Sequence, residues 1–300
     1  MRLNDYLQRE FGKKVYKISL NGGFTCPNRD GTKGTGGCIF CSLGGSGEFA
    51  EDPGLSITEQ IESGKVRVAS KYSGNSFIAY FQAFTGTYAP VERLRELYSE
   101  AINHPDVVCM SVATRPDCLP DEVLDLLEEM SRIKPVWVEL GLQTIHPETA
   151  EYIRRGYDLS DYDQAVRNLK QRGLSVITHV ILGLPGESKE KMKETVSYVV
   201  DNGVSGIKLQ LLHVLKGTDL EKEYQAGKIR TMEMDEYIDV LKECLEIIPD
   251  DVVIHRMTGD GDKKLLVAPM WSADKKRVLN RINNALICHQ TIQRGVKRIK

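Results

Sequence analysis

Seven short apolar, β-branched runs recur along the chain, most followed by a longer segment with helical patterning, and this alternation leaves few folds open. The runs are residues 15–20 (VYKISL), 76–82 (SFIAYFQ), 107–114 (VVCMSVAT), 135–143 (PVWVELGLQ), 174–183 (LSVITHVILG), 206–214 (GIKLQLLHV) and 252–258 (VVIHRMT). Most lack polar alternation, as do strands covered on both faces of a parallel sheet. Helix ends are marked between them. Ser56 with Glu59 has capping-box spacing, Pro90 and Pro147 suit first turns, Ser160 caps a helix stopped by Gly173, and Ser188 caps one stopped by Gly203. Strand–helix units repeated about six times predict an α/β chain folded as a partial (β/α)6-type TIM barrel, with chemistry gathered where the strands end. The expected division is a barrel over residues 1–255, containing an irregular loop at 21–55, and a short C-terminal extension over 256–300.

With 41% apolar residues, 300 residues suffice for one large core. The N-terminus, MRLNDYLQREFGKK, carries charges where a signal peptide needs an apolar stretch. No run approaches the roughly 20 residues of a membrane span, so the protein is expected in the cytoplasm with no membrane partner. Seven cysteines, an odd number in a reducing compartment, point to metal binding or plain burial. The net charge of −2 hides an asymmetry: residues 275–300 hold eight Lys/Arg and no acid, while the rest sets 32 basic side chains against 42 acidic ones. A basic patch on an acidic body suits a polyanionic partner.

The loop at 21–55 carries ten glycines and three of the cysteines, immediately after the first strand. A long glycine-rich loop in a compact domain is usually functional or disordered, and Cys26, Cys38 and Cys41 favour function. Three thiolates on a flexible backbone can wrap an inorganic centre while leaving one position for an outside ligand. The alternative is a structural zinc completed by a distant His or Cys. Cys109, Cys118, Cys244 and Cys288 lack suitable mutual spacing and read as buried or incidental thiols.

Cys26 and Cys38-Ile39-Phe40-Cys41 resemble the cluster motif of radical S-adenosylmethionine (SAM) enzymes in its long-spaced form, as in the catalytic subunit of Elongator. ATRPD (113–117), VELGLQT (138–144) and HVILGLPGE (179–187) resemble that family's later strand motifs in order. GGFTCPNRDGT (22–32), YFQAFTGTYAP (80–90) and RMTGDGDKKLLVAPMWS (256–272) resemble the YtqA/YhcC group of bacterial radical SAM proteins. The resemblance implies a 4Fe-4S cluster on the three cysteines, with a free iron chelating the amino and carboxylate groups of SAM. It also implies one-electron cleavage of SAM to a 5′-deoxyadenosyl radical, with a reductase or flavodoxin-type protein as electron donor.

The resemblance distributes further roles. Phe40 would shield the cofactor. Gln82 and Thr85 stand where many relatives hold the methionine ammonium with an acidic residue, and can accept hydrogen bonds but bring no charge. Glu139 and Gln143, four apart on one side of a strand, would face the ribose or methionine portion; a salt bridge under a helix is the other reading of Glu139. Thr114 would touch the cofactor and Arg115 the substrate phosphate, unless Arg115 is a surface side chain before Pro116. His179 would pass the adenine, or sit satisfied in the core, and Ile181 would act by shape. Leu212 and His213 are the expected adenine edge. Arg256 and Asp260 lie in a turn of the group-specific motif, with Arg256 assigned to substrate.

For substrate, the basic tail has helical apolar spacing through Val278, Ile282 and Leu286, which leaves Lys275, Lys276, Arg277 and Arg281 to face outward toward phosphates. The resemblance implies tRNA, specifically remodelling the C5 side chain of wobble uridine from carboxymethylaminomethyl toward aminomethyl, on the way to methylaminomethyl. The chain is not expected to carry the acetyltransferase domain of Elongator. Chemistry on a small metabolite and a noncatalytic metal-binding module are the alternatives.

Overall fold

The computed structural model describes residues 1–259 and 261–298, with side chains through residue 287 apart from 260. Asp260, the side chains of Cys288, Arg294, Lys297 and Arg298, and all of Lys300 lie outside the described residues.

In chain order the elements are α1 (Leu3–Phe11), β1 (Tyr16–Leu20), α2 (Ile57–Val68), β2 (Phe77–Phe81), α3 (Val91–Asn103), β3 (Val107–Thr114), α4 (Asp121–Ser131) and β4 (Val136–Gln143). There follow α5 (Pro147–Tyr152), α6 (Leu159–Gln171), β5 (Ser175–Leu182), α7 (Lys189–Asp201), β6 (Gly206–Leu211), β7 (Val214–Leu215), α8 (Asp219–Gln225) and α9 (Met234–Ile247). The chain closes with β8 (Val253–Arg256), β9 (Leu266–Ala268), a 3-10 turn at Met270–Ala273 and α10 (Lys275–Arg298).

Seven strands form one parallel sheet in the order β1-β2-β3-β4-β5-β6-β8, so the β8 run adds a strand to the six expected units. The sheet curls into a partial barrel. Its outer face packs against the helices through a large apolar cluster that includes Phe81, Tyr98, Leu127, Tyr162, Val196 and Tyr237. The N-terminus supports the last strand: Ile254 N–H donates to Met1 O at 2.8 Å.

The helix ends follow local chemistry with two corrections, one being that Pro90 is the N-cap of α3 while Pro147 opens α5 as expected. Ser56 and Glu59 form the reciprocal capping box, and Ser188 Oγ accepts from Lys191 N–H. The cap of α6 is Asp158 rather than Ser160, because Asp158 and Asp161 satisfy each other's backbone donors and Ser160 falls inside the first turn. Gly173 and Gly203 take positive φ just past their helices, as expected of stops. Beyond the sheet, β7 and β9 make a short antiparallel ribbon beside the barrel mouth. Helix α10 lays Val278 and Ile282, both buried, into the core cluster.

Candidate active site

Strand alternation builds the site. Inward-facing side chains form two layers along the barrel axis, about 7 Å apart for residues two positions apart. The deeper layer includes Tyr80, Glu139, His179 and Lys208; nearer the strand ends are Gln82, Ala113, Gly141, Ile181 and Gln210. Above them the loop after β1 folds over the opening, and a cavity of about 260 Å³ joins loop to barrel.

The cysteine loop is pinned by Ile39 in a small apolar cluster and by local hydrogen bonds. Cys41 N–H donates to Cys38 O at 2.9 Å, Gly37 N–H to Asn28 O at 2.7 Å, and Ile39 N–H reaches across to Ile153 O at 3.1 Å. Asn28 is the main clamp: its amide donates to the carbonyls of Arg154 and Arg155 at 2.8 and 3.0 Å and lies 3.5 Å from Cys38 Sγ. Arg29 holds the other end, donating to Cys41 O at 3.1 Å and lying over the Phe84 ring. Gly45 fits there only without a side chain, since its φ is +60° and a Cβ would stand 2.4 Å from the Phe84 ring.

Cys26, Cys38 and Cys41 all line the cavity, each partly exposed. Burial pushes the Cys38 thiol up to about 12, and burial also raises Cys41 against the pull of Arg29. Their three Sγ atoms do not all lie within 4.8 Å of one another. Thiolates on one zinc ion, with Zn–S about 2.3 Å, would sit closer than that. A cluster takes one thiolate per iron and spreads them wider. The donor set, three thiols on one loop lining the cavity, fits the 4Fe-4S group, with three ligands and one coordination position over.

The structure brings most of the sequence-assigned residues together. Phe40, Gln82, Thr85, Thr114, Glu139, Gln143, His179, Ile181, Leu212, His213, Arg115 and Arg256 all line the same cavity as the cysteines. Gln143 has φ +66° and Phe84 φ +58°, so two non-glycine residues at the rim hold left-handed backbone. Gln82 is part of the strap over the loop: its amide donates to Ser46 O and its carbonyl faces Ser19 Oγ at 3.5 Å. A Cβ on Gly259 or Gly261 would strike the His213 imidazole, so the turn after β8 lies directly on that ring.

Two assignments are corrected. Arg115 is neither surface side chain nor free phosphate ligand: it donates twice to Asp117 at 2.9 Å, and to Arg155 O and Gly156 O at 2.8 and 3.3 Å. These bonds use most of its five N–H groups in anchoring the wall under the loop. Glu139 is fully buried and accepts from Lys17 Nζ (3.0 Å), Ser111 Oγ (2.7 Å), His179 Nε2 (2.7 Å) and Lys208 Nζ. Its oxygens are thus taken by protein donors, and it organises the barrel floor instead of touching the ribose. The flanking ammoniums and His179, outweighing burial, hold its carboxyl well below the usual carboxylate range.

His179 serves that floor. Burial, with Lys208 beside it, lowers it to about 4, so the ring is neutral near pH 7. Because Nε2 faces an ionised carboxylate it carries the proton, which leaves Nδ1 an acceptor.

The basic side chains of α10 stand apart. Lys275, Lys276, Arg277 and Arg281 are exposed, none lines the cavity, and Arg281 pairs with Asp235 at 3.0 Å. Sequence reasoning missed Lys17, Tyr80, Ser111 and Lys208 on the floor, and Asn28, Arg155 and Tyr157 beneath the loop. Lys17 and Lys208 had a signal: each is a lone charge in an apolar strand run, the feature that singled out Glu139. The clamps had none, because an Asn or Arg in a polar loop is unremarkable until its partners fold beside it.

A cysteine loop over a parallel half-barrel, opening on a polar cavity, defines the radical SAM class, and the chain belongs to that superfamily. The profile of the Radical SAM superfamily matches residues 26–199 and that of the Radical_SAM C-terminal domain residues 204–287. Among individual relatives, the chain is 48% identical to YtqA of Bacillus subtilis (strain 168) over 95% of its own length and 88% of that protein's. It is 42% identical to YhcC of Escherichia coli (strain K12) over 90% and 86%. A tRNA uridine(34) acetyltransferase of Methanocaldococcus jannaschii is 28% identical over 53% of this chain and 30% of that one. Among solved structures, Elp3 of Methanocaldococcus infernus superposes with a TM-score of 0.65 at 18% identity, covering 84% of this chain and 58% of the other, a likeness of fold. The protein is thus a radical SAM enzyme. Among the described residues, no helix is long and apolar enough to cross a membrane.

Proposed function

We propose that this radical SAM enzyme acts on tRNA, remodelling the C5 side chain of wobble uridine from carboxymethylaminomethyl toward aminomethyl. Cys26, Cys38 and Cys41 would hold the 4Fe-4S cluster, and the rim residues Gln82, Thr85, Thr114, Gln143, Ile181, Leu212 and His213 would surround SAM. When bound, these groups supply a 5′-deoxyadenosyl radical for hydrogen abstraction, after one electron from a flavodoxin-type reductase. The chain's own residues do the rest: Asn28 and Arg29 hold the loop in register, Arg115 fixes the wall, and Glu139 sets the charge of the floor.

The single observation that supports an RNA substrate is the similarity, across half of this chain, to a protein whose name specifies tRNA uridine 34. The outward Lys275, Lys276 and Arg277 on α10 suit a phosphate backbone on the same reading. The test is the modified-nucleoside profile of tRNA from a deletion strain. Carboxymethylaminomethyluridine derivatives should accumulate at the expense of aminomethyl and methylaminomethyl forms; an unchanged profile refutes the substrate. Binding of unmodified tRNA that weakens steeply with salt is expected, and salt-independent binding would favour a small metabolite instead.

A further inference from the structure

The barrel floor carries more positive charge than its own carboxylate balances. Glu139 is fully buried, and two ammoniums converge on it, Lys17 from β1 and Lys208 from β6. Lys208 is itself buried, at 3% exposure, and lines the cavity. One of its N–H groups goes to Glu139 and another to the Tyr80 hydroxyl at 3.2 Å, leaving the third for a ligand. Beside it in the sheet register is His179, whose neutral ring keeps its proton on Nε2 for Glu139 and its lone pair on Nδ1. An unbalanced buried ammonium is costly unless an anion completes it.

We propose that Lys208 and His179 form a subsite for a short N-substituted glycine unit of the substrate, Lys208 pairing its carboxylate and His179 Nδ1 accepting from its amine N–H. Lys17 and Glu139 act as positioning residues behind it. The subsite lies one layer, about 7 Å, below the rim residues assigned to SAM, which separates it from the cysteine end of the cavity. Burial depresses the Lys208 ammonium, Glu139 opposes that, and Lys17 and Arg256 reinforce it; a bound carboxylate would relieve the crowding. The subsite deepens the wobble-uridine reading and rests on it for the identity of the arm, since carboxymethylaminomethyl ends in this unit.

The experiment uses the anaerobically reconstituted holoenzyme with SAM bound and two anticodon stem–loops. One carries carboxymethylaminomethyluridine at the wobble position and the other its neutral primary amide. Wild type should bind the carboxylate RNA about ten-fold more tightly, the order expected of one charge-assisted hydrogen bond. Lys208→Met should abolish that preference, Lys208→Arg should keep most of it, and SAM affinity should be unchanged in both. Equal affinity for the two RNAs in wild type overturns the subsite while leaving the tRNA reading intact. So does a Lys208→Met variant that loses SAM rather than the carboxylate preference. If neither RNA binds, the tRNA reading fails, and N-methylglycine against its amide, read by saturation-transfer NMR, decides the subsite: selective binding of the carboxylate supports it, and no selectivity overturns it.

Discussion

The barrel floor and the cysteine loop face each other across one cavity but are stabilised in opposite ways. On the floor, side chains from β1, β3, β5 and β6 converge on Glu139 of β4, so the charge pairing that holds the fold is built into the sheet, with one ammonium in excess of its carboxylate. The loop has little core beyond Phe24 and Ile39: short backbone bonds, the Asn28 and Arg29 clamps and a glycine fitted under Phe84 hold its thiols, and burial pushes those of Cys38 and Cys41 up. Removing a floor residue should therefore cost stability, and removing a loop residue should cost metal. The difference separates what the chain builds alone from what its cofactor completes.

The sharpest way to break this comparison is Glu139→Leu, which strands the Lys17 and Lys208 ammoniums together in the barrel. A loss of about 3 to 5 kcal/mol in urea unfolding is expected. Cys38→Ala should leave the unfolding midpoint near wild type while iron and sulfide incorporation fail; an equal loss of stability in the two variants would erase the distinction.

Acid acts on the floor next. His179 sits at about 4 in the fold against an ordinary 6.5, so between those values the unfolded chain binds a proton that the native ring does not. Stability should fall as pH drops from about 6.5 to 4, by about 3 kcal/mol from this group, and His179→Gln should flatten that part of the pH–stability curve.

Within the loop, Gly45→Ala forces a side chain onto left-handed backbone against Phe84. It should cost about 1 to 3 kcal/mol locally, read as faster hydrogen exchange across residues 26–48 with the strands unaffected.

The smallest effect on stability belongs to α10. Arg281→Ser breaks an exposed pair with Asp235 and should change stability by no more than about 1 kcal/mol. On the proposed reading Lys276→Ser should be as mild for stability yet weaken tRNA binding and lower its salt slope.

The seven strands were legible because each is an apolar run with turn residues at its ends, and burial on both faces removed the ambiguity of alternation. The three thiols stood out for the same kind of reason: cysteines at close spacing in a glycine-rich loop have no packing role to compete with. What stayed hidden depends on contacts across the sheet. Arg115 gives no sign in sequence that Asp117 and two carbonyls 40 and 41 residues on will consume its donors. Glu139 could be singled out as costly to bury, yet its partners Lys17 and Lys208 lie 122 and 69 residues away, and only the curling of the sheet brings them within reach.

The most direct test of the account is anaerobic reconstitution with iron, sulfide and SAM, followed by dithionite and an assay for 5′-deoxyadenosine, run on wild type and Cys38→Ala side by side. Wild type should yield deoxyadenosine, and a Cys38→Ala protein that unfolds at the same denaturant midpoint should yield none. Deoxyadenosine from Cys38→Ala, or a wild-type protein that takes up zinc and yields none, would contradict it.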